Sequence, residues 1–66
     1  MIATNIKKYL KSKGIKQSFI SEKTGIPLVT LNATLNGNRK IQVDEYFSIC
    51  DVLNVDLDSF RNKKSA

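Results

Sequence analysis

The sequence lacks most of the residues from which catalytic sites are built. Its 66 residues include no histidine and a single cysteine, Cys50. Neither a Ser–His nor a Cys–His catalytic pair can therefore form. No glycine-rich phosphate loop occurs, and the acidic residues between positions 44 and 58 fall at predicted helix starts, where carboxylates suit the helix dipole. We expect no enzymatic activity, no metal site and no cofactor.

Long apolar runs are also missing. The longest are a few residues, well below the roughly 18 that indicate a membrane span. The N-terminal stretch MIATNIKKYL has no apolar core of the kind found in a signal peptide. A lone cysteine cannot form an internal disulfide, which fits a reducing compartment. We therefore expect a cytoplasmic protein without a membrane partner.

Negative charge is scarce in the first two thirds of the chain. Residues 1–41 contain eight Lys or Arg and one acid, whereas residues 42–66 contain three bases and five acids. Inside the basic part, residues 24–38 carry no charged side chain at all, and charge returns at Arg39 and Lys40. A basic region joined to a mildly acidic one favours a polyanionic partner on one side. Ordinary surface solubilisation is the alternative explanation.

Strand-like alternation is absent, and apolar residues recur at helical spacing instead. The predicted helices cover residues 2–12, Gln17–Thr24, 28–36, Val43–Leu53 and a short final segment capped by Asp56. Glycines 14, 25 and 37 end the first three, because glycine tolerates the left-handed conformation of a helix C-terminus. The prediction is an all-α, five-helix domain over residues 1–61, followed by a short polar tail over residues 62–66.

The core is predicted from the inward positions of these helices. Those on the last two helices are Tyr46, Phe47, Ile49, Cys50, Leu53, Leu57 and Phe60. Cys50 is read as a small core residue and not as a reactive thiol. Pro27 begins the third helix with its φ angle already preset.

The second and third helices are joined by the short turn Gly25-Ile26-Pro27. Two short helices connected by so tight a glycine turn cross steeply, as in a helix-turn-helix. In that motif the second helix enters the major groove of DNA, and the first lies across the backbone.

These features resemble the lambda-repressor-like, Cro-type (XRE) helix-turn-helix domains of phage and bacterial regulators. The resemblance covers residues 2–60 and depends on the order and spacing of Gly14-Ile15-x-Gln17, Gly25-Ile26, Leu31, Leu35-Asn36-Gly37 and Leu53-Asn-Val55-x-Leu57. It implies a compact DNA-binding domain with the helix-turn-helix at helices 2–3. The expected protein is a sequence-specific transcriptional regulator, Cro- or repressor-like, that binds double-stranded DNA as a homodimer. No small-molecule effector is expected.

The resemblance also implies roles for individual residues. Phosphate contacts are expected from Gln17, Asn36, Arg39 and Lys40. The base-facing positions are Leu28, Val29, Thr30, Asn32 and Ala33. Dimer contacts are expected from Val55, Leu57 and Phe60, although an internal core role for these three is the alternative. Asn36 before Gly37 is also a good helix terminator by itself.

Two departures from the family pattern bear on function. Relatives often carry Gln, Arg or Ser where this chain has Leu28, Val29 and Ala33, so contact with thymine methyl groups replaces bidentate base recognition. Leu10 and Leu35 stand where some relatives have a buried ion pair, which identifies them as core residues. The apolar third helix also suits a second hypothesis, an antitoxin-like or anti-repressor domain that binds a partner protein.

Overall fold

Four α-helices and a closing 3-10 turn make up the part of the chain that the computed structural model describes, residues 2–60. The elements are α1 (Ile2–Lys13), α2 (Gln17–Thr24), α3 (Leu28–Leu35), α4 (Val43–Leu53) and the 3-10 turn (Leu57–Phe60). The bounds of α2 and α4 match the prediction, α1 is one residue longer, and α3 ends one residue earlier. The all-α prediction is confirmed. The predicted tail, residues 62–66, lies outside the described residues.

The fifth predicted helix is a single 3-10 turn, so the five-helix prediction is wrong in this element. The N–H of Ser59 donates to the carbonyl of Asp56 at 3.0 Å, which is the three-residue hydrogen bond of a 3-10 helix. Four residues are too few to build an α-helical ladder. The side-chain amide of Asn5 donates to the Phe60 carbonyl at 2.7 Å, and this bond attaches the turn to α1.

The core is formed where α1 packs on α3 and on the 3-10 turn, and where α2 packs on α3 and α4. Its fully buried members are Ile6, Leu10, Ile20, Leu31, Leu35, Ile49, Cys50 and Phe60. Leu10 and Leu35 are 2% and 1% exposed, so their prediction as core residues is confirmed. Cys50 is also core, as predicted, and burial raises the pKa of its thiol.

Two residues predicted to face inward lie at the surface instead. Phe47 is 51% exposed and Leu57 is 50% exposed. With about 100° between successive residues, Phe47 points away from Ile49, which faces the core. The single 3-10 turn buries Phe60, whose ring makes T-shaped contacts with Tyr9 at 5.4 Å and Tyr46 at 6.4 Å. Leu57 is left outside that aromatic cluster.

Within residues 2–60, no helix is both long enough and apolar enough to cross a membrane.

Candidate nucleic-acid interface

The turn between α2 and α3 is fixed by side chains of α2. Gly25 adopts a left-handed conformation with φ 80° and donates its N–H to Ser21, which ends α2. The hydroxyl of Ser21 donates to the carbonyl of Ile26, and the N–H of Ile26 donates to the hydroxyl of Thr24 at 3.2 Å. Both backbone groups of Ile26 are thus bonded to side chains of α2, which stabilises the turn.

Helix α3 begins without a side-chain cap. Pro27 occupies the N-cap position with φ −55°, and its carbonyl accepts the N–H of Leu31 at 2.9 Å. A proline has no N–H of its own to satisfy at a helix start. The chain therefore enters α3 with a stiff turn in place of a capping hydroxyl.

One face of α3 is buried and the opposite face is open. Leu31, Thr34 and Leu35 point into the protein. By helical spacing, the opposite stripe contains Val29, Asn32, Ala33 and Asn36. Val29 is 83% exposed, and no residue of α3 is charged. The open face therefore offers a methyl surface and side-chain amides to a partner.

The two other residues predicted to face the bases, Leu28 and Thr30, lie at the edges of this stripe. Leu28 is 45% exposed, whereas Thr30 is half-buried. The carbonyl of Thr30 accepts the buried hydroxyl of Thr34 at 3.0 Å. Thr34 thus satisfies its polar group inside the core, although relatives often have an apolar residue at that position.

At the C-terminal end of α3, three polar side chains are joined in a row. The ammonium of Lys7, on α1, donates to the Oδ1 of Asn36. The Nδ2 of Asn36 then donates to the Oδ1 of Asn32 at 2.8 Å. We call this row the Lys7–Asn36–Asn32 chain. It brings a cation of α1 to the end of the open face of α3.

The loop after α3 is held by an ion pair. The two terminal nitrogens of Arg39 donate to the two carboxylate oxygens of Glu45 at 2.8 and 2.9 Å. The first nitrogen also donates to the hydroxyl of Thr34 at 2.9 Å. The Glu45 carboxylate accepts the N–H of Gln42 at 2.9 Å as well, so one carboxylate ties the loop to the start of α4.

The ion pair changes the acidity of both partners. The hydrogen bond from Arg39 is the main reason that the pKa of Glu45 lies below its ordinary value, and the bond from Gln42 adds to the effect. The pKa of Arg39 is raised, chiefly by the same carboxylate. The Glu45 carboxylate therefore compensates part of the Arg39 charge, and the contact of Arg39 with phosphate stays a prediction.

The remaining residues with predicted phosphate or dimer contacts lie in different parts of the molecule. Gln17 begins α2 and is half-buried, while Lys40 is exposed in the loop after α3. Of the three predicted dimer residues, Val55 is half-buried and Leu57 is half exposed. Phe60 is 3% exposed, as the core prediction and the alternative to a dimer contact expected.

Three residues of this region were not assigned to the site from the sequence. Lys7 lies 29 positions from its partner Asn36. The spacing of Glu45 from Gln42 predicted only that Glu45 closes back on the start of α4, which the bond from the Gln42 N–H confirms. Thr34 had no predicted role in this region. No local periodicity connects these positions, so only the folded chain shows that they meet. Within residues 2–60, no group of three or more His, Cys, Asp or Glu side chains is placed to hold a metal ion.

Comparison with known proteins agrees with this geometry. A family model described as Helix-turn-helix (HTH_3) matches residues 6–60. A search of curated proteins and a search of solved structures gave no significant match. The matched range includes α2, the turn and α3, together with the helices that pack against them. The chain therefore belongs to the XRE/Cro-type helix-turn-helix family, a family of DNA-binding domains and not of enzymes.

Proposed function

We propose that the protein is a transcriptional regulator that places α3 in the major groove of a short DNA operator. Family membership implies DNA binding, and the observation that supports α3 as the reading element is its open, uncharged face. That face is bordered by Lys7 at one end and is followed by Lys40 in the next loop. In DNA recognition, contacts with phosphates position the protein, and contacts with base edges specify the sequence. Cations beside a neutral surface fit these two kinds of contact. A DNA partner fits the predicted cytoplasmic location.

Phosphate contacts in this proposal come from both sides of α3. Lys40 and Gln17 contact the backbone from the loop and from the start of α2. Asn36 retains a second N–H on its amide, because one N–H already donates to Asn32. Arg39 contributes less, since three of its five N–H donors already bind Glu45 and Thr34.

Base reading in this proposal is mainly apolar. Leu28, Val29 and Ala33 carry no hydrogen-bonding group, so guanine O6 and N7 find no donor in them. The thymine C5-methyl is the apolar feature of the major groove, and these side chains can cover it. Asn32 is an exposed polar group beside these apolar residues on the same stripe and reads an adenine. The half-buried Thr30 lies at the edge of the contact.

Homodimerisation is assigned to the side of the molecule that contains α4 and the 3-10 turn. Val43 and Phe47 lie one helical turn apart on α4 and are 70% and 51% exposed. The hydroxyl of Tyr46 donates to the carbonyl of Leu57, which attaches the 3-10 turn that carries the exposed Leu57 to α4. We call Val43, Phe47 and Leu57 the α4 patch. Two-fold pairing there would place the α3 helices about 34 Å apart, one turn of DNA.

The same open face of α3 supports a second candidate function. A valine that is 83% exposed beside a leucine that is 45% exposed would also fit a groove on a partner protein, as in an antitoxin or anti-repressor. The basic flank distinguishes the two, because a protein groove does not require it. DNA binding therefore has the stronger support.

Fluorescence anisotropy with a salt titration tests the proposed function. Labelled duplexes of random sequence and a site selected from a random pool would be compared between about 50 and 200 mM salt. A regulator that contacts several phosphates loses affinity steeply over this range and prefers the selected site. Weak binding, equal on all duplexes, would reject sequence-specific regulation and favour the protein-binding candidate.

A further inference from the structure

The Lys7–Asn36–Asn32 chain has a fixed direction. A lysine ammonium can only donate hydrogen bonds, so the Asn36 atom that faces Lys7 must be its oxygen. The amide nitrogen of Asn36 is then turned toward Asn32, and the Asn32 oxygen accepts from it at 2.8 Å. Each amide in the row is oriented by the one before it. The charge on Lys7 also makes the first hydrogen bond stronger than one between neutral groups.

The direction of this chain determines which hydrogen-bonding groups of Asn32 remain available to a partner. Its amide nitrogen keeps both N–H donors, and its oxygen keeps one of two lone pairs. An adenine presents one acceptor and one donor side by side in the major groove, N7 and the N6 amino group. Asn32 can therefore match an adenine without rotating its amide, whereas a freely rotating amide would have to be ordered on binding.

From this geometry we propose that Lys7 is a positioning residue, which acts through Asn36 to set the amide of Asn32 for reading an adenine. The proposal rests on the proposed function, in which α3 lies in the major groove. Docking removes water from the exposed amides, and hydrogen bonds strengthen as the local dielectric falls. The orientation set by Lys7 consequently has more effect in the complex than in the free protein.

The amide orientation is tested first in the free protein by NMR. Lys7→Met keeps the side-chain length and removes the donor, whereas Lys7→Arg keeps a donor. Lys11→Met is the matched control, because Lys11 lies one helical turn from Lys7 on α1 and the variant removes the same charge. The side-chain NH2 signals of Asn36 and Asn32 should both move in Lys7→Met, and remain near their wild-type positions in Lys7→Arg and Lys11→Met. Circular dichroism checks that every variant is folded.

Base reading is tested next on duplexes that differ at single base pairs. The position read by Asn32 is the one at which Asn32→Ala loses discrimination. At that position Lys7→Met should lower the preference for adenine about fivefold, the equivalent of one net hydrogen bond. Lys7→Arg should retain the preference for adenine, and Lys11→Met should weaken binding to all duplexes equally.

Other results would distinguish the base-reading role of Lys7 from the existence of the Lys7–Asn36–Asn32 chain. If Lys7→Met weakens binding to every duplex equally, Lys7 is a phosphate contact and the positioning role is overturned. Unmoved amide signals would overturn the chain itself, whatever the binding data show. Failure of the wild-type protein to bind DNA would overturn the base-reading role together with the proposed function, while the amide signals still report on the chain.

Discussion

Helices α3 and α4 both expose apolar side chains, yet their electrical surroundings are opposite. On α3, Val29 is 83% exposed. The cation Lys7 contacts Asn36 at the end of that face, and the cation Lys40 follows in the next loop. On α4, Val43 is 70% exposed, and its first turn carries Asp44 and Glu45. Exposed apolar surface alone marks an interaction site without naming the partner. The flanking charge makes that distinction, since DNA is excluded from an acidic face and attracted to a basic one.

The Arg39–Glu45 ion pair marks the border between these two surfaces. It links the loop after α3 to the first turn of α4 and compensates charge from both sides. Thr34 and Gln42 are held by the same pair. The pair thereby links the basic surface to the acidic one.

The largest expected effect comes from placing the same negative charge on each helix. Val29→Asp puts a carboxylate in the open face of α3, where it meets the electronegative groove. Affinity for a duplex with one half-site should fall at least about 100-fold, because like-charge contacts cost several kcal/mol. The matched Val43→Asp variant should bind the same duplex almost as well as the wild type. Anisotropy measures both, and equal losses would show that charge, not position, accounts for the effect.

The next largest effect concerns the α4 patch. Phe47→Asp should prevent pairing of two copies, seen as a shift from dimer to monomer in sedimentation equilibrium. Affinity for an operator with two half-sites should fall about tenfold, while half-site affinity is unchanged, because linked binding is lost. Phe19→Asp is the control, since Phe19 on α2 is 44% exposed but lies outside the patch. A wild-type protein that stays monomeric on a palindromic site would reject the assignment.

A smaller effect is expected at the border between the surfaces. The folded-state pKa of Glu45 lies below its ordinary value of 4.5, so its pairing stabilises the protein above that pH. The stabilisation is lost as the pH falls through the lower folded-state value, because the carboxylate becomes protonated. Glu45→Gln should therefore melt a few degrees below the wild type at pH 7, and the difference should vanish in acid. Glu22→Gln, which removes an exposed carboxylate, is the control. A difference in melting temperature that does not depend on pH would show that the ion pair is not its cause.

The smallest effect separates the two loop cations. Lys40→Ala should reduce the slope of log affinity against log salt by about one, as expected for a lost phosphate contact. Arg39→Ala should reduce it less, because Glu45 already compensates that charge. Lys23→Ala, at the end of α2, should leave the slope nearly unchanged. A larger change for Arg39 than for Lys40 would show that Arg39 leaves Glu45 and binds phosphate in the complex.

The sequence predicted much of the fold because the relevant signals are local. Glycine and apolar spacing located α2 and α4 to the residue. The final segment was harder, since four residues contain no helical period from which to tell Leu57 from Phe60. The packing of Tyr9 and Tyr46 around Phe60 decides which of the two is buried.

The candidate site was predictable only as far as neighbouring residues define it. The open stripe of α3 follows from helical spacing, as Val29 and Ala33 illustrate. The pairing of Arg39 with Glu45 crosses a loop, and the bond between Lys7 and Asn36 joins two helices. Such contacts depend on tertiary packing, and no spacing in one sequence encodes them.

The proposed function assigns DNA reading to the uncharged face of α3, through contact with thymine methyl groups. Replacing thymine by uracil at each position of the selected operator deletes only that methyl. The measured affinity should fall about fourfold at each contacted position, as expected for about 0.8 kcal/mol per buried methyl-sized group, and the loss should shrink in Val29→Ala. Unchanged affinity at every uracil position, or a selected site with G·C pairs opposite α3, would contradict the account.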